Sequence, residues 1–77
     1  MNVTKEILRN KVDYLNHLTG LHYDLDFAYG GVRLIRIVNG SGGCSDCSVR
    51  MTKSQLADTL DAIEYVVLRM KEAESNV

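Results

Sequence analysis

The sequence predicts an α+β fold in the order α-β-β-(β)-α, with two helices flanking an antiparallel sheet of two or three strands. Residues 3–18 and about 53–73 have apolar side chains at helical spacing, which predicts the two helices. Between them lie an alternating stretch, a glycine pair and a second apolar stretch, which together predict a β-hairpin. At 77 residues the chain has the size of one small domain, so residues 1–77 are interpreted as a single unit.

The first helix is predicted over residues 3–18, because its apolar and polar residues fall on opposite halves of the helical wheel. The apolar half consists of Val3, Ile7, Leu8, Val12, Leu15 and Leu18. Asn2 or Thr4 is suited to cap the N-terminus of this helix. Gly20 is suited to the left-handed conformation that ends a helix.

The first strand is predicted over residues 21–29, where apolar and polar residues alternate and give one dry and one wet face. Gly30 and Gly31 then predict a two-residue hairpin turn, since glycine tolerates a positive φ. The second strand follows over residues 32–38.

The glycine turn fixes a strand register. It would pair Tyr29 with Val32, Phe27 with Leu34 and Leu25 with Arg36. Ile35 and Ile37 would then lie on the wet face, beside Asp26 and Asp24. A one-residue bulge would reverse these faces, and either arrangement leaves aliphatic side chains on both faces of the second strand.

The connection to the last helix starts with a glycine-rich loop at residues 39–43, and a short third strand is expected around residues 47–50. Thr52 and Gln55 have the spacing of a capping box, which predicts the start of the final helix. The apolar stripe predicted to reach the core consists of Leu56, Leu60, Ile63, Val66, Val67 and Met70.

Tyr65 and Leu68 lie off that stripe, and Ile35 and Ile37 lie on the face of the sheet that the hairpin leaves wet. Exposed apolar side chains in so small a protein indicate an interface. We therefore predict a homodimer or a higher homo-oligomer that uses these four residues.

Cys44 and Cys47 form a CxxC pair, which is half of a tetrahedral zinc site. His17 and His22 have a spacing that zinc sites use, but they fall on the polar side of a helix and the wet face of a strand. Ordinary loop cysteines, a zinc site and a redox pair remain three alternatives. No other cofactor is expected.

Contact with a ligand or partner is predicted for Tyr29, Arg33, Arg36, Gly42 and Gly43. The backbone of a glycine-rich loop can hold a phosphate, although this loop lacks the sequence of a Walker motif. In the predicted register Arg36 lies beside Leu25 on the inward face. An arginine there either bends outward so that its charge reaches solvent or pairs with an anion.

Composition excludes several classes of protein. A membrane span needs roughly 20 apolar residues, and the longest uninterrupted apolar run here is Tyr65 to Leu68. Early charges at Lys5 and Glu6 argue against a signal peptide, so a cytoplasmic location with reduced thiols is expected. The net charge of −1 makes nucleic acid an unexpected partner. No Ser-His-Asp or Cys-His arrangement is apparent, so we expect no enzymatic activity.

The α-β-β-β-α order, the length and the final helix resemble a double-stranded-RNA-binding domain. That family grips phosphate with lysines at the start of its last helix, whereas residues 51–55 here contain one lysine and are followed by Asp58 and Asp61. The resemblance therefore extends to topology. An atypical nucleic-acid-binding domain that uses Arg33, Arg36 and Arg50 is kept as an alternative function.

Residues 18–34, followed by residues 50–53, resemble small accessory proteins encoded by phages and mobile elements. The resemblance implies a short binding protein located in the host cytoplasm. Such proteins often inhibit a host defence system by occupying a host protein or sequestering a small ligand. We therefore predict a small, oligomeric, non-enzymatic binding protein.

Overall fold

The computed structural model describes residues 2–38 and 43–75. The elements are α1 (Lys5–Thr19), β1 (Tyr23–Ala28), β2 (Gly31–Ile37), β3 (Cys44–Asp46) and α2 (Lys53–Ser75). The three strands form one antiparallel sheet in the order β1-β2-β3. This architecture confirms the predicted α+β fold. Neither helix within the described residues has the length and apolar character that crossing a membrane requires.

Local capping fixes where both helices begin. The Thr4 hydroxyl accepts a hydrogen bond of 3.2 Å from the N–H of Ile7, and α1 ends at Gly20, whose φ is 71°. At α2, the N–H of Gln55 donates to the Thr52 hydroxyl and the N–H of Thr52 donates to the Gln55 side chain, at 3.1 and 3.0 Å. The predicted caps are therefore confirmed, including the reciprocal capping box.

The hairpin turn is at Tyr29–Gly30, so the predicted Gly30–Gly31 turn is wrong. Gly31 begins β2 opposite Ala28, with a φ of 134°. A Cβ atom there would collide with the carbonyl oxygen of Met51, so only glycine fits. The register therefore shifts by two residues from the predicted one: Phe27 pairs with Val32, Leu25 with Leu34 and Tyr23 with Arg36. An even shift leaves every side chain on its predicted face.

The third strand lies at Cys44–Asp46, not at residues 47–50. The chain after Asp46 follows β2 irregularly. The N–H of Cys47 donates to the carbonyl of Leu34, and Met51 forms a β-bridge with Val32. Three residues, 48–50, therefore occupy the space opposite a single residue of β2, Arg33. Such a bulge breaks the regular ladder of main-chain hydrogen bonds. This break explains why the pattern of residues 47–50 did not become a strand.

Both helices pack on one face of the sheet and enclose the core. The buried residues are Leu8, Val12, Leu15, Leu25, Val32, Leu34, Leu56, Ala57 and Leu60. Ile63 and Val67 pack against this core, as predicted. Val66 and Met70, also predicted as core, are 55% and 60% exposed, so that prediction is wrong.

The length of α2 explains these two exposed residues. At about 1.5 Å per residue, α2 is about 35 Å long and α1 about 22 Å long. Every residue from 68 to 75 is exposed. We call residues 65–75 the distal half of α2. Val67 is its last residue that packs against the core, and beyond it the helix extends past the body of the fold.

Candidate functional site

One face of the sheet carries no helix, and we call it the open face. Tyr23, Leu25 and Phe27 of β1 turn toward the helices and the core. Because side chains alternate along a strand, the intervening residues lie on the opposite side. The open face includes the side chains of Asp24, Asp26, Arg33, Ile35, Ile37, Cys44 and Asp46.

An ionic network crosses the open face from β1 to β3. A carboxylate oxygen of Asp26, Oδ2, accepts hydrogen bonds from Nε of Arg33 at 2.7 Å and from Nη2 of Arg50 at 2.9 Å. Nη1 of Arg33 donates to Asp46 at 3.0 Å. Nη1 of Arg50 donates to the main-chain oxygens of Asp26 and Gly31. The network thus joins three strands and the bulge.

Electrostatically, this network is balanced, with two arginines and two aspartates. Hydrogen bonds from Arg33, and then from Arg50, hold the pKa of Asp26 below its ordinary value. Arg33, a predicted ligand contact, therefore has two carboxylate partners within the sheet. Sequence reasoning missed Asp26 and Asp46 as its partners, although the cross-strand pairing of Asp26 with Arg33 could have been found from the correct register.

The other end of the open face carries two isoleucines. Ile35 lies between Asp24 on β1 and Asp46 on β3, and Ile37 pairs with Cys44. Both isoleucines are half-buried. Asp24 turns to the edge of the sheet, where Nη1 of Arg9 donates to it at 2.7 Å and lowers its pKa. The expectation that Ile35 lies on the wet face is confirmed.

An asparagine from α1 covers part of the outer edge of β1. The N–H of Tyr23 donates to Oδ1 of Asn16 at 2.6 Å, and Nδ2 of Asn16 donates to the carbonyl of Tyr23 at 3.1 Å. The amide group takes the place that a neighbouring strand would have. This contact blocks strand addition at Tyr23.

The two thiols are exposed and form no disulfide. Although the residue is exposed, partial burial raises the pKa of the Cys47 thiol, which disfavours the thiolate that a metal or a redox reaction uses. Within residues 2–38 and 43–75, no three His, Cys, Asp or Glu side chains gather at a spacing suited to a metal ion. His17 and His22 therefore do not join Cys44 and Cys47 in one group.

The remaining predicted ligand contacts are dispersed. Tyr29 is fully exposed at the hairpin turn. Arg36 lies opposite Tyr23 and so shares its helix-covered face. The carbonyl of Gly43 accepts a hydrogen bond from Val38 at 3.0 Å, and Gly42 lies outside the described residues. Tyr29 and Arg36 therefore do not lie beside Arg33 on the open face.

An open cleft of about 520 Å³ lies where the N-termini of the two helices meet. Lys5, Lys53, Phe27 and Val32 are among its lining residues, and Nζ of Lys5 lies 4.9 Å from the centre of the Phe27 ring. In the described part of the chain, Oε1 of Glu64 is the buried side-chain atom without a hydrogen-bond partner. It is not part of this cleft, so no orphaned group marks a ligand there.

The distal half of α2 is the second exposed surface. Val66 and Met70 lie one turn apart, and with the exposed Ala62 and Ala73 they form an apolar row that we call the Val66 stripe. Sequence reasoning missed this stripe because the wheel placed Val66 and Met70 near the core direction. The predicted length of the final helix, compared with the length of the first, could have indicated it.

Tyr65 and Leu68 are also exposed, but on the other flank of the same helix. The guanidinium of Arg69 lies 5.0 Å from the centre of the Tyr65 ring, and its Nη2 donates to the Tyr65 hydroxyl at 2.9 Å. Ile35 and Ile37 face away from the helices altogether. The four predicted interface residues therefore belong to two separate surfaces and form no single patch.

No family model, curated protein or solved structure matches the chain.

Proposed function

We propose that this chain is a small, non-enzymatic binding protein that acts as a homodimer or a higher homo-oligomer. The observation that carries the proposal is the Val66 stripe, where Val66 and Met70 are 55% and 60% exposed on a helix that extends past its own core.

The energetics of a helix in water support this proposal. Most helical stability in proteins comes from packing of an apolar face, and short isolated helices are marginal. In the distal half of α2, the side-chain hydrogen bonds of Tyr65, Arg69, Glu72 and Ser75 stay within the helix. Burying a large apolar side chain contributes about 1.5–3 kcal/mol. A partner on the Val66 stripe would therefore stabilise both the helix and the assembly.

Association through α2 leaves the open face pointing outward on each copy. We assign target binding to that face, where half-buried Ile35 and Ile37 lie beside a fixed ionic network. A protein target is favoured over nucleic acid, because Asp26 and Asp46 already neutralise Arg33 and Arg50. The resemblance to phage accessory proteins adds the prediction that this target belongs to a host.

Sedimentation velocity over a range of protein concentrations tests the assembly. We expect a dimer or larger species for the native chain and a monomer for Val66→Glu. Val49→Glu is the matched control, since Val49 is 76% exposed on the bulge and lies outside α2, 17 residues before Val66.

The control should assemble like the native chain, and circular dichroism should show that both variants are folded. A native chain that stays monomeric at all concentrations would overturn the proposal. Equal assembly of Val66→Glu and the native chain would also overturn it.

A further inference from the structure

We propose that Cys44 and Cys47 form a thiol–disulfide switch, in which oxidation to an intramolecular disulfide releases β3 from β2. The two exposed thiols belong to the CxxC motif, which the assembly through α2 leaves unused. The switch goes beyond that assembly and does not depend on it.

The two thiols cannot meet while β3 is paired with β2. Cys44 lies opposite Ile37 on the open face. The N–H of Cys47 donates to the carbonyl of Leu34 at 2.9 Å, so Cys47 lies opposite this buried residue and shares its helix-covered side. A strand rises about 3.3 Å per residue, which sets the Cα atoms of the two cysteines about 10 Å apart. A disulfide requires these atoms to lie within about 7 Å.

The disulfide closes if residues 44–47 form a turn instead of a strand. In a β-turn the first and fourth Cα atoms lie within about 7 Å of each other, which a disulfide allows. Ser45 and Asp46 are the two central residues of that turn. Serine and aspartate are common in turns, and aspartate is depleted in strands. The local sequence therefore favours the turn, although the fold holds the same segment as a strand.

The contacts of β3 are weak enough for this change. β3 is a strand of three exposed residues at the edge of the sheet, and none of them belongs to the core. Asp46 pairs with Arg33 at 3.0 Å, but 61% of the Asp46 side chain is exposed. Exposed ion pairs contribute little to stability. Release of β3 therefore leaves the buried core intact.

Glutathione disulfide is an oxidant that completes the chemistry. The thiolate of Cys44 attacks one sulfur of glutathione disulfide, which forms a mixed disulfide and expels one glutathione thiolate. The thiolate of Cys47 then attacks the Cys44 sulfur, which forms the intramolecular bond and expels the second glutathione thiolate. Each cysteine thiol gives up one proton and each glutathione thiolate takes one up. Cys47 reacts second, because partial burial raises its pKa and its thiol donates to the carbonyl of Ser45.

Release of β3 changes the open face. Arg33 loses its contact with Asp46 and keeps its contact with Asp26. β2 becomes an edge strand beside Ile35 and Ile37, and an edge strand presents unpaired main-chain groups to which an extended segment can add. The effect on target binding rests on the proposed function, whereas the switch itself is tested on the chain alone.

NMR spectroscopy of the full chain in glutathione buffers tests the switch. Opposed residues of an antiparallel ladder alternate, so the hydrogen-bonded pair of Cys47 and Leu34 makes Ile37–Cys44 a non-hydrogen-bonded pair with closely spaced Hα atoms. The reduced chain should show the nuclear Overhauser effect (NOE) between these Hα atoms, and also the one between Leu25 and Leu34 of β1 and β2. Oxidation, seen by mass spectrometry as the loss of two hydrogens, should remove the first NOE and keep the second.

The glutathione ratio at half oxidation measures the coupling between the disulfide and β3. Because the disulfide forces β3 to open, the native chain should need a ratio about tenfold more oxidising than the same chain unfolded in urea. Such a shift corresponds to about one or two net main-chain hydrogen bonds. Cys44→Ser and Cys47→Ser are the controls, and each should keep β3 paired in every buffer.

An intramolecular disulfide that leaves the Ile37–Cys44 NOE in place would overturn the switch. Absence of that NOE in the reduced chain, or equal ratios for the native and the unfolded chain, would also overturn it. Glutathione adducts without an intramolecular disulfide, in buffers that oxidise the unfolded chain, would have the same meaning. Sedimentation of the native chain decides the proposed assembly separately, so the two failures are distinguishable.

Discussion

Arg50 reaches across β2 to Asp26, and its Nη2 donates to the carboxylate over 2.9 Å. The same guanidinium donates to the main-chain oxygens of Asp26 and Gly31. These contacts attach the bulge at residues 48–50 to the hairpin. The ionic network thus holds the irregular segment that leads into α2 against the hairpin.

The first prediction concerns the carboxylate at the centre of this network. Asp26→Asn removes the charge that two arginines share, so we expect a lower urea midpoint at neutral pH. Asp24→Asn is the matched control and should have a smaller effect, because Asp24 has one arginine partner, Arg9. Equal losses for the two variants would show that the shared contact with Arg50 adds nothing.

The pH dependence of this effect has a definite sign. The pKa of Asp26 in the folded protein is lowered from its ordinary value of 3.8 by the hydrogen bonds from Arg33 and Arg50. The stability it contributes is therefore fully present above that value and is lost as the pH falls through the lower, folded value. The difference between the native chain and Asp26→Asn should shrink over the same acidic range.

The second prediction concerns Ser48, whose hydroxyl accepts a hydrogen bond of 2.9 Å from the N–H of Leu34. The bulge has removed the main-chain acceptor at this point, and Leu34 is buried. Ser48→Ala leaves that N–H unpaired, which should cost about 1–3 kcal/mol in the free energy of unfolding. Ser48→Thr keeps a hydroxyl and should restore most of the loss.

Chemical denaturation of these two variants beside Ser45→Ala provides the control. Ser45 is exposed on β3, so its truncation should change the free energy of unfolding by less than about 0.5 kcal/mol. A loss for Ser48→Thr as large as that for Ser48→Ala would argue against the role of the hydroxyl.

The third prediction concerns two glycines with positive φ. Gly20→Ala places a Cβ in open space at a φ of 71°, and the left-handed conformation should cost about 1–2 kcal/mol. Gly31→Ala should cost more, because its Cβ collides with the Met51 carbonyl that accepts the Val32 N–H at 2.8 Å. Thermal unfolding compares the two, and equal losses would exclude the close approach of Met51 as the reason for Gly31.

The faces of the sheet could be predicted from sequence, whereas the turn could not. Alternation assigns Ile35 and Asp24 to one side, and a register slip of two residues leaves that assignment intact. The turn depends on Met51, which lies 20 positions after Gly31 and approaches it only in the folded chain. Local glycine preference contains no information about that contact.

In the candidate site, too, a local sequence pattern predicts some features and not others. The helical wheel gave the direction in which Val66 and Met70 point, but not whether the body of the fold extends far enough to cover them. The partners of Arg50 lie on strands that the bulge brings together, and no local pattern marks a bulge held by Ser48. Residue type and hydrophobic period were therefore sufficient to predict the layers of the fold. They were not sufficient to predict the contacts between segments distant in sequence.

The last prediction concerns Glu64, whose half-buried carboxylate lies between α1 and α2. Burial raises its pKa above the ordinary value of 4.5, Asp61 reinforces the rise, and Lys11 opposes it. The folded chain then holds a proton that the unfolded chain releases, so this group lowers stability as the pH rises from 4.5 through the folded value.

Glu64→Gln should therefore raise the unfolding midpoint of dilute protein at pH 7 and leave it little changed well below pH 4.5. Glu72→Gln, on an exposed turn of the same helix, is the control and should show no such gain. A gain for Glu72→Gln as large as that for Glu64→Gln would contradict the attribution of the effect to burial.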